Sequence, residues 1–380
     1  MTFQRADAPW SMKVIIPCGY NLVAGKWDIK RGEKTAVFYH HEHGYNIEEM
    51  SLALDSALKY YSEWFGPYPW KELKLSEFPG LAYYAQGFPT NITFSEAMGF
   101  LIKSDPDSNV AFAFTAHEAS HQWWGNLLLP GEGPGGNVIA EGMAHFSTIL
   151  LLDQVKGERA SESFRRSIEN QYGENRRVDS ERPLVFVDGG KSGDVDLMYN
   201  RGSWCYFMLM EQMGKDAILA GLRGFISEYQ DNQDFPVLHD LLAFLRNYSS
   251  DPDGYDALTD QLFRKVSVPE YKLYDVLVEP LADGVSWQLK ARIKNIGTGS
   301  FPVEISAMQG EEYPDESGDK MEEEDSYKEE RIEVLLGPGD SERIVIPCDF
   351  IPEKVVVDPD VKVLQLNRKL AVGYVKNKSY

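Results

Sequence analysis

Residues 117–121 read His-Glu-Ala-Ser-His, and Glu141 follows on a second predicted helix. Two histidines four apart on an α-helix project from one face and converge on a point. A carboxylate arriving from a neighbouring helix completes a His, His, Glu set for one catalytic zinc ion, with a position left open for water. His117, His121 and Glu141 are the ligands this spacing selects. Glu118, beside the first histidine, is placed to act as general base toward that water. The chemistry these residue types predict is zinc-assisted hydrolysis, most often of a peptide bond.

The elements that must position these groups are legible around them. The motif lies in Asn109-Val-Ala-Phe-Ala-Phe-Thr-Ala-His-Glu-Ala-Ser-His-Gln-Trp-Trp-Gly125, rich in Ala and aromatics and free of Pro. It predicts a largely buried helix that begins after the Pro106/Asp107/Ser108 cluster and fades near Gly125. Buried histidines need partners, because unsatisfied polar groups in a core are costly, and a metal supplies one. His121 and Glu141 are 141 − 121 = 20 positions apart. That allows a turn through Leu129-Pro-Gly-Glu-Gly-Pro-Gly-Gly136 and a return helix over 138–155. Ligands on two packed helices are held rigidly. His145 shares the face of Glu141; with three ligands already chosen, it reads as a hydrogen-bond partner of a ligand, or as packing.

A chain of 380 residues with 43% hydrophobic content is long enough for two or three domains. The net charge of −21 argues against nucleic acid and anionic membrane surfaces as partners. No apolar run reaches the length of a membrane span, and the first residues lack an apolar signal segment. The expectation is a soluble chain, cytoplasmic or the soluble part of a membrane protein. Cys18, Cys205 and Cys348 are widely separated in apolar surroundings and read as buried thiols.

The fold class expected is α+β. Residues 1–45 alternate like strands and form a short β segment, with His40, His41 and His43 read as a solvated strand end. From Asn46 the period becomes helical. Asn46 and Glu49 suggest a capping box, and Met50, Leu52, Leu54, Ala57, Leu58 and Tyr61 a buried stripe. Strands over 73–78 and 91–94 precede the motif helix. Helices over 197–213, 216–229, 237–245 and 257–266 complete a region running from 46 to 268. From 269 to 380 short alternating segments predict a β-sandwich, interrupted at 311–330 by an acidic loop read as disordered.

The string His117-Glu-Ala-Ser-His-Gln-Trp-Trp-Gly-Asn126, with Glu141-Gly-Met-Ala and Tyr199-Asn-Arg-Gly202, resembles gluzincin metallopeptidases of the aminopeptidase N and leukotriene hydrolase type. The resemblance covers roughly residues 46–250. It implies a thermolysin-like catalytic domain followed by helices, zinc at His117, His121 and Glu141, Glu118 as base, and Tyr199 as donor to the oxyanion of the transition state. Aminopeptidase action on peptides is the activity it implies.

Three departures qualify it. Most members have one residue fewer between the second His and the distal Glu. The segment Gly80-Leu-Ala-Tyr-Tyr-Ala-Gln-Gly-Phe-Pro-Thr-Asn-Ile-Thr-Phe-Ser-Glu96 has no Glu at the position that anchors a substrate's amine. Its Gln86 and Gly87, with Arg201, are the candidate substrate contacts. The large N-terminal β domain is missing, and residues 1–45 look like its last strands. All three are similar to a bacterial branch in which the peptidase follows an ABC-type permease, which makes a membrane permease an expected partner. Two alternatives stay open: a non-catalytic zinc-containing binding module, and an endopeptidase lacking amine anchoring.

Overall fold

Apolar residues at three- and four-residue spacing turn Ile47–Phe65 into a helix that buries Met50, Ala53, Leu54, Ala57, Tyr61, Trp64 and Phe65. Two expectations fail here. Leu52 is exposed, because a residue two positions from Met50 and Leu54 points to the opposite side of the helix. Asn46 makes no side-chain cap; it sits in the left-handed region at φ 59° and its amide donates to the Gly99 carbonyl at 2.7 Å. Glu49, the other half of the expected capping box, instead pairs with Lys156 at 2.9 Å.

The computed structural model describes residues 2–4, 11–13, 25–81, 84–101, 103, 108–232, 234–311 and 327–375. Cys18 and most of the expected acidic loop, 312–326, lie outside the described residues. The chain divides into two compact units. The first comprises Met1–Gly131, Met143–Ser161 and Leu219–Pro236; the second comprises Glu132–Gly142, Glu162–Ile218 and Val237–Tyr380.

In the first unit five strands form one sheet in the order Asp28–Arg31, Thr35–Tyr39, Leu73–Phe78, Asn91–Ser95, Ala85–Phe88. The three inner strands run parallel to one another, and both edge strands are antiparallel to their neighbours. Val37, Leu73, Leu75, Ile92 and Phe94 are buried in its core. Two strands of the segment read as a separate leading one, Asp28–Arg31 and Thr35–Tyr39, therefore belong to this sheet: Thr35–Tyr39 pairs directly with Leu73–Phe78, so a boundary at residue 45 cuts through it, while Thr2–Gln4 and Ser11–Lys13 pair only with each other. Helices Val110–Ser120 and Met143–Lys156 pack against each other and against Ile47–Phe65.

The second unit combines helices with two antiparallel sheets. Gly202–Met213 is buried on most faces and is central, as its composition predicts. Pro252–Leu262 packs against it, and Tyr255 of that helix donates to the Leu242 carbonyl of Leu238–Leu245 at 2.7 Å. Glu158–Asn175, most of which belongs here, carries too polar a sequence to stand out. It is tied down by charge instead: Arg165 donates to the carbonyls of Val361 and Asp360, and Glu169 accepts from Arg368 at 2.6 Å. One sheet orders Lys328–Leu335, Pro302–Gln309, Lys354–Val357 and Val372–Tyr374; the other orders Ser341–Cys348, Trp287–Asn295 and Tyr271–Pro280. Alternate residues are buried, as in Leu289, Ala291 and Ile293 or Val303, Ile305 and Ala307. Mixed helix and sheet content makes the chain α+β, as expected. Cys205 and Cys348 are free and buried, and burial pushes the Cys205 thiol up to about 12, which keeps it protonated and inert at neutral pH.

Candidate active site

His117 and Glu118 lie in the last turns of Val110–Ser120, a helix that buries four alanines, Ala111, Ala113, Ala116 and Ala119, so that neighbours approach it closely. Both side chains are buried, and His121 follows at the helix C-cap, where the backbone is still near-helical. The ring nitrogens have defined duties. His121 Nδ1 donates to the Trp124 carbonyl at 2.9 Å, which leaves its Nε2 a lone pair in the neutral ring. His117 Nδ1 meets His145 Nδ1 at 2.7 Å. With His117 as the donor in that bond, its Nε2 also presents a lone pair.

The two Nε2 atoms stand 3.3 Å apart. A tetrahedral zinc with Zn–N bonds of about 2.0–2.1 Å has an N···N edge of about 3.3 Å, so the imidazole pair fits zinc. Donor atoms of His117, Glu118 and His121 all lie within 4.8 Å of one another. The Glu118 carboxylate thus stands beside the pair of rings. His145, expected to bond a ligand or merely pack, makes a hydrogen bond to His117, the kind of contact that fixes a ligating imidazole's tautomer and orientation.

The residues after the motif clamp a strand to it. Gln122 donates to the Phe88 carbonyl at 2.9 Å and accepts from the Thr90 N–H at 2.9 Å, while Asn126 donates to the Gly87 carbonyl at 2.8 Å. Strand Ala85–Phe88 is thereby pressed onto the motif helix. A Cβ at Gly87 would stand 2.5 Å from the Glu118 carbonyl oxygen and 3.0 Å from His121 Cβ, so only glycine permits this approach. Gln86, next to it on the edge strand, is exposed and accepts from the Tyr84 hydroxyl. The roles of Gln122 and Asn126 are missed by motif reading; the signal was their place one and five residues after the second histidine. Trp123 and Trp124 are fully buried, Trp123 donating to the Gly66 carbonyl at 2.8 Å.

In the second unit, Glu141 and Tyr199 each lie in a π-helical turn, Val138–Gly142 and Leu197–Arg201. Such turns are rare and concentrate at functional sites. The two turns pack together through glycines. A Cβ on Gly142 would meet the Met198 carbonyl oxygen at 3.0 Å, and one on Gly202 would meet Val138 Cγ1 at 3.1 Å. Glycine after the glutamate and glycine at the end of Tyr-Asn-Arg-Gly therefore serve a backbone contact that sequence spacing does not disclose. The Tyr199 carbonyl accepts from Ser203 Oγ at 2.8 Å.

Arg201 departs from the substrate contact expected of it. It is fully buried, and its guanidinium donates to the carbonyls of Leu262 at 3.2 Å and Lys265 at 2.8 Å, with Glu181 at 3.8 Å. Five donors in a planar fork suit the end of a helix whose last carbonyls lack partners. Among the expected site residues, His117, Glu118, His121, Gln86 and Gly87 lie in the first unit; Glu141, Tyr199 and Arg201 lie in the second.

The model of the Peptidase family M1 domain matches residues 50–257 of this sequence. The chain belongs to peptidase family M1. The match runs from the first long helix to the helix Pro252–Leu262 and stops short of the two antiparallel sheets that begin at Tyr271. Family M1 members are zinc peptidases, so the chain is a hydrolase and a zinc metallopeptidase whose substrates are peptides. No curated protein matches the chain.

Proposed function

We propose that this M1 peptidase is an aminopeptidase, with His117, His121 and Glu141 as its zinc ligands, Glu118 as general base and Tyr199 as oxyanion donor. The observation that carries the reading is the pair of imidazoles whose Nδ1 atoms are both engaged and whose Nε2 atoms stand one tetrahedral edge apart. Support for Glu141 is indirect. It rests on the sequence, in which Glu141-Gly-Met-Ala follows His121 by twenty positions. A zinc ion held by these residues would supply Lewis acidity toward the scissile carbonyl and the attacking water. Glu118 takes the proton of that water and returns it to the leaving amine. Tyr199 donates its phenolic hydrogen to the oxygen on which charge develops in the transition state.

Substrate recognition in this reading uses Gln86 on the edge strand Ala85–Phe88, a strand that Gln122 and Asn126 hold against the motif helix through the Phe88 and Gly87 carbonyls. Gln86 offers a neutral carbonyl oxygen to the substrate ammonium in place of a glutamate. A neutral acceptor makes a weaker bond to a cation than a carboxylate does. The expected discrimination is accordingly modest: N-acetylation of a dipeptide reporter lowers kcat/KM by about tenfold, one charge-assisted hydrogen bond's worth. Equal cleavage of the free and acetylated reporters would remove the aminopeptidase assignment and leave an endopeptidase. Tyr199→Phe is expected to lower kcat by about 10²–10³ with KM little changed, since the hydroxyl acts only on developing charge. A matching rise in KM instead would make Tyr199 a substrate-binding group.

The branch assignment belongs to the same proposal. The segment ending in Ser95-Glu96 and the 141 − 121 = 20 spacing support kinship with permease-fused peptidases, and with it a membrane partner. No helix among the described residues is itself long and apolar enough to cross a membrane.

A further inference from the structure

Three adjacent parallel strands of the first unit, Thr35–Tyr39, Leu73–Phe78 and Asn91–Ser95, end on the same edge of their sheet. The carboxyl ends of parallel strands are where open α/β sheets bind ligands. Each strand delivers one metal-competent side chain to that edge. Glu77 lies one residue before the end of its strand, Glu96 directly follows its strand, and His43 lies in the turn after Tyr39. Donor atoms of His43, Glu77 and Glu96 fall within 4.8 Å of one another.

The arrangement is held in place rather than loosely gathered. Glu77 is 2% exposed and accepts the His40 N–H at Oε2 at 2.6 Å, so its carboxylate cannot rotate away. Its other oxygen faces His43 Nδ1. The His43 N–H donates to the His40 carbonyl at 2.8 Å, closing the turn that carries the ring back over the strand ends. The His43 ring pairs with Glu77, and Glu96 brings a second carboxylate within 4.8 Å of both, an excess of negative charge that a divalent cation would neutralise. One imidazole and two carboxylates form an N,O set suited to a first-row divalent ion such as zinc, and poorly to a soft ion.

We propose that His43, Glu77 and Glu96 form a second, structural site for a divalent transition metal, distinct from the His117/His121 centre, that staples the ends of three parallel strands. The sequence alone shows only His40, His41 and His43 at a strand end; the two glutamates reach them through the sheet.

Zinc titration of the full chain, read by metal analysis after gel filtration and by melting temperature, tests this. Wild type is expected to hold two zinc ions, and a His117→Ala/His121→Ala variant one. Adding Glu96→Gln to that variant is expected to weaken the remaining ion's binding by at least a hundredfold, since loss of a direct ligand exceeds the 10–100-fold typical of its supporting contacts. The zinc-induced rise in melting temperature disappears with it. Because Glu96 is partly exposed, the isosteric amide is tolerated, and His43→Asn in the exposed turn gives an independent check. A wild-type stoichiometry of one, or a second ion that survives both Glu96→Gln and His43→Asn, overturns the site. The peptidase assignment stands or falls on other residues, so the two failures are distinguishable.

Discussion

Glu118→Gln is expected to retain zinc at the His117/His121 centre and to lose about 10³ or more in kcat. The amide preserves the volume of a buried side chain in a helix lined with alanines, so packing is unaffected. What it removes is basicity. Positioned general bases contribute about 10²–10⁴ in rate, because they take the water's proton in the transition state. Metal analysis beside single-turnover kinetics decides the point. Activity within tenfold of wild type sinks the role of Glu118 as base. Zinc lost together with activity would instead place its carboxylate among the ligands, a live distinction with its oxygen within 4.8 Å of both histidine donors.

Arg201→Met is expected to destabilise the chain by roughly 3 kcal/mol or more, seen as a lower urea midpoint, with KM unchanged in whatever fraction remains folded. The guanidinium is fully buried and satisfies the carbonyls of Leu262 and Lys265 at the end of Pro252–Leu262. Methionine fills much of the volume but donates nothing, so both carbonyls lose a partner in a dry environment. Glu181 keeps Arg176 at 2.6 Å and the Tyr172 hydroxyl, which limits the loss on that side. A raised KM with an unchanged midpoint would return Arg201 to substrate binding.

The motif residues were readable because their chemistry depends on local spacing. Two histidines on one helical face, a glutamate between them and a return helix require only the 3.6-residue period and a Gly/Pro-rich turn. The helix Glu158–Asn175 was not readable, because its anchors are ion pairs to residues about two hundred positions away. The capping box at Asn46 failed for a related reason: the asparagine's partner is Gly99, brought near by the fold. Leu52 failed for a local one, a two-residue offset that points it outward.

By itself the sequence determined the reaction type, since HExxH, Glu-Gly-Met-Ala and Tyr-Asn-Arg-Gly are short-range patterns and all three lie within the residues that match the M1 family. Only the tertiary structure decided what each remaining group is for. It set Gly87 against the Glu118 carbonyl, paired the π turns through Gly142 and Gly202, turned Arg201 inward, and gathered His43, Glu77 and Glu96 at one sheet edge. Those are contacts between residues far apart in the chain. Their energies depend on which surfaces meet, a property of the packed chain that no local period encodes.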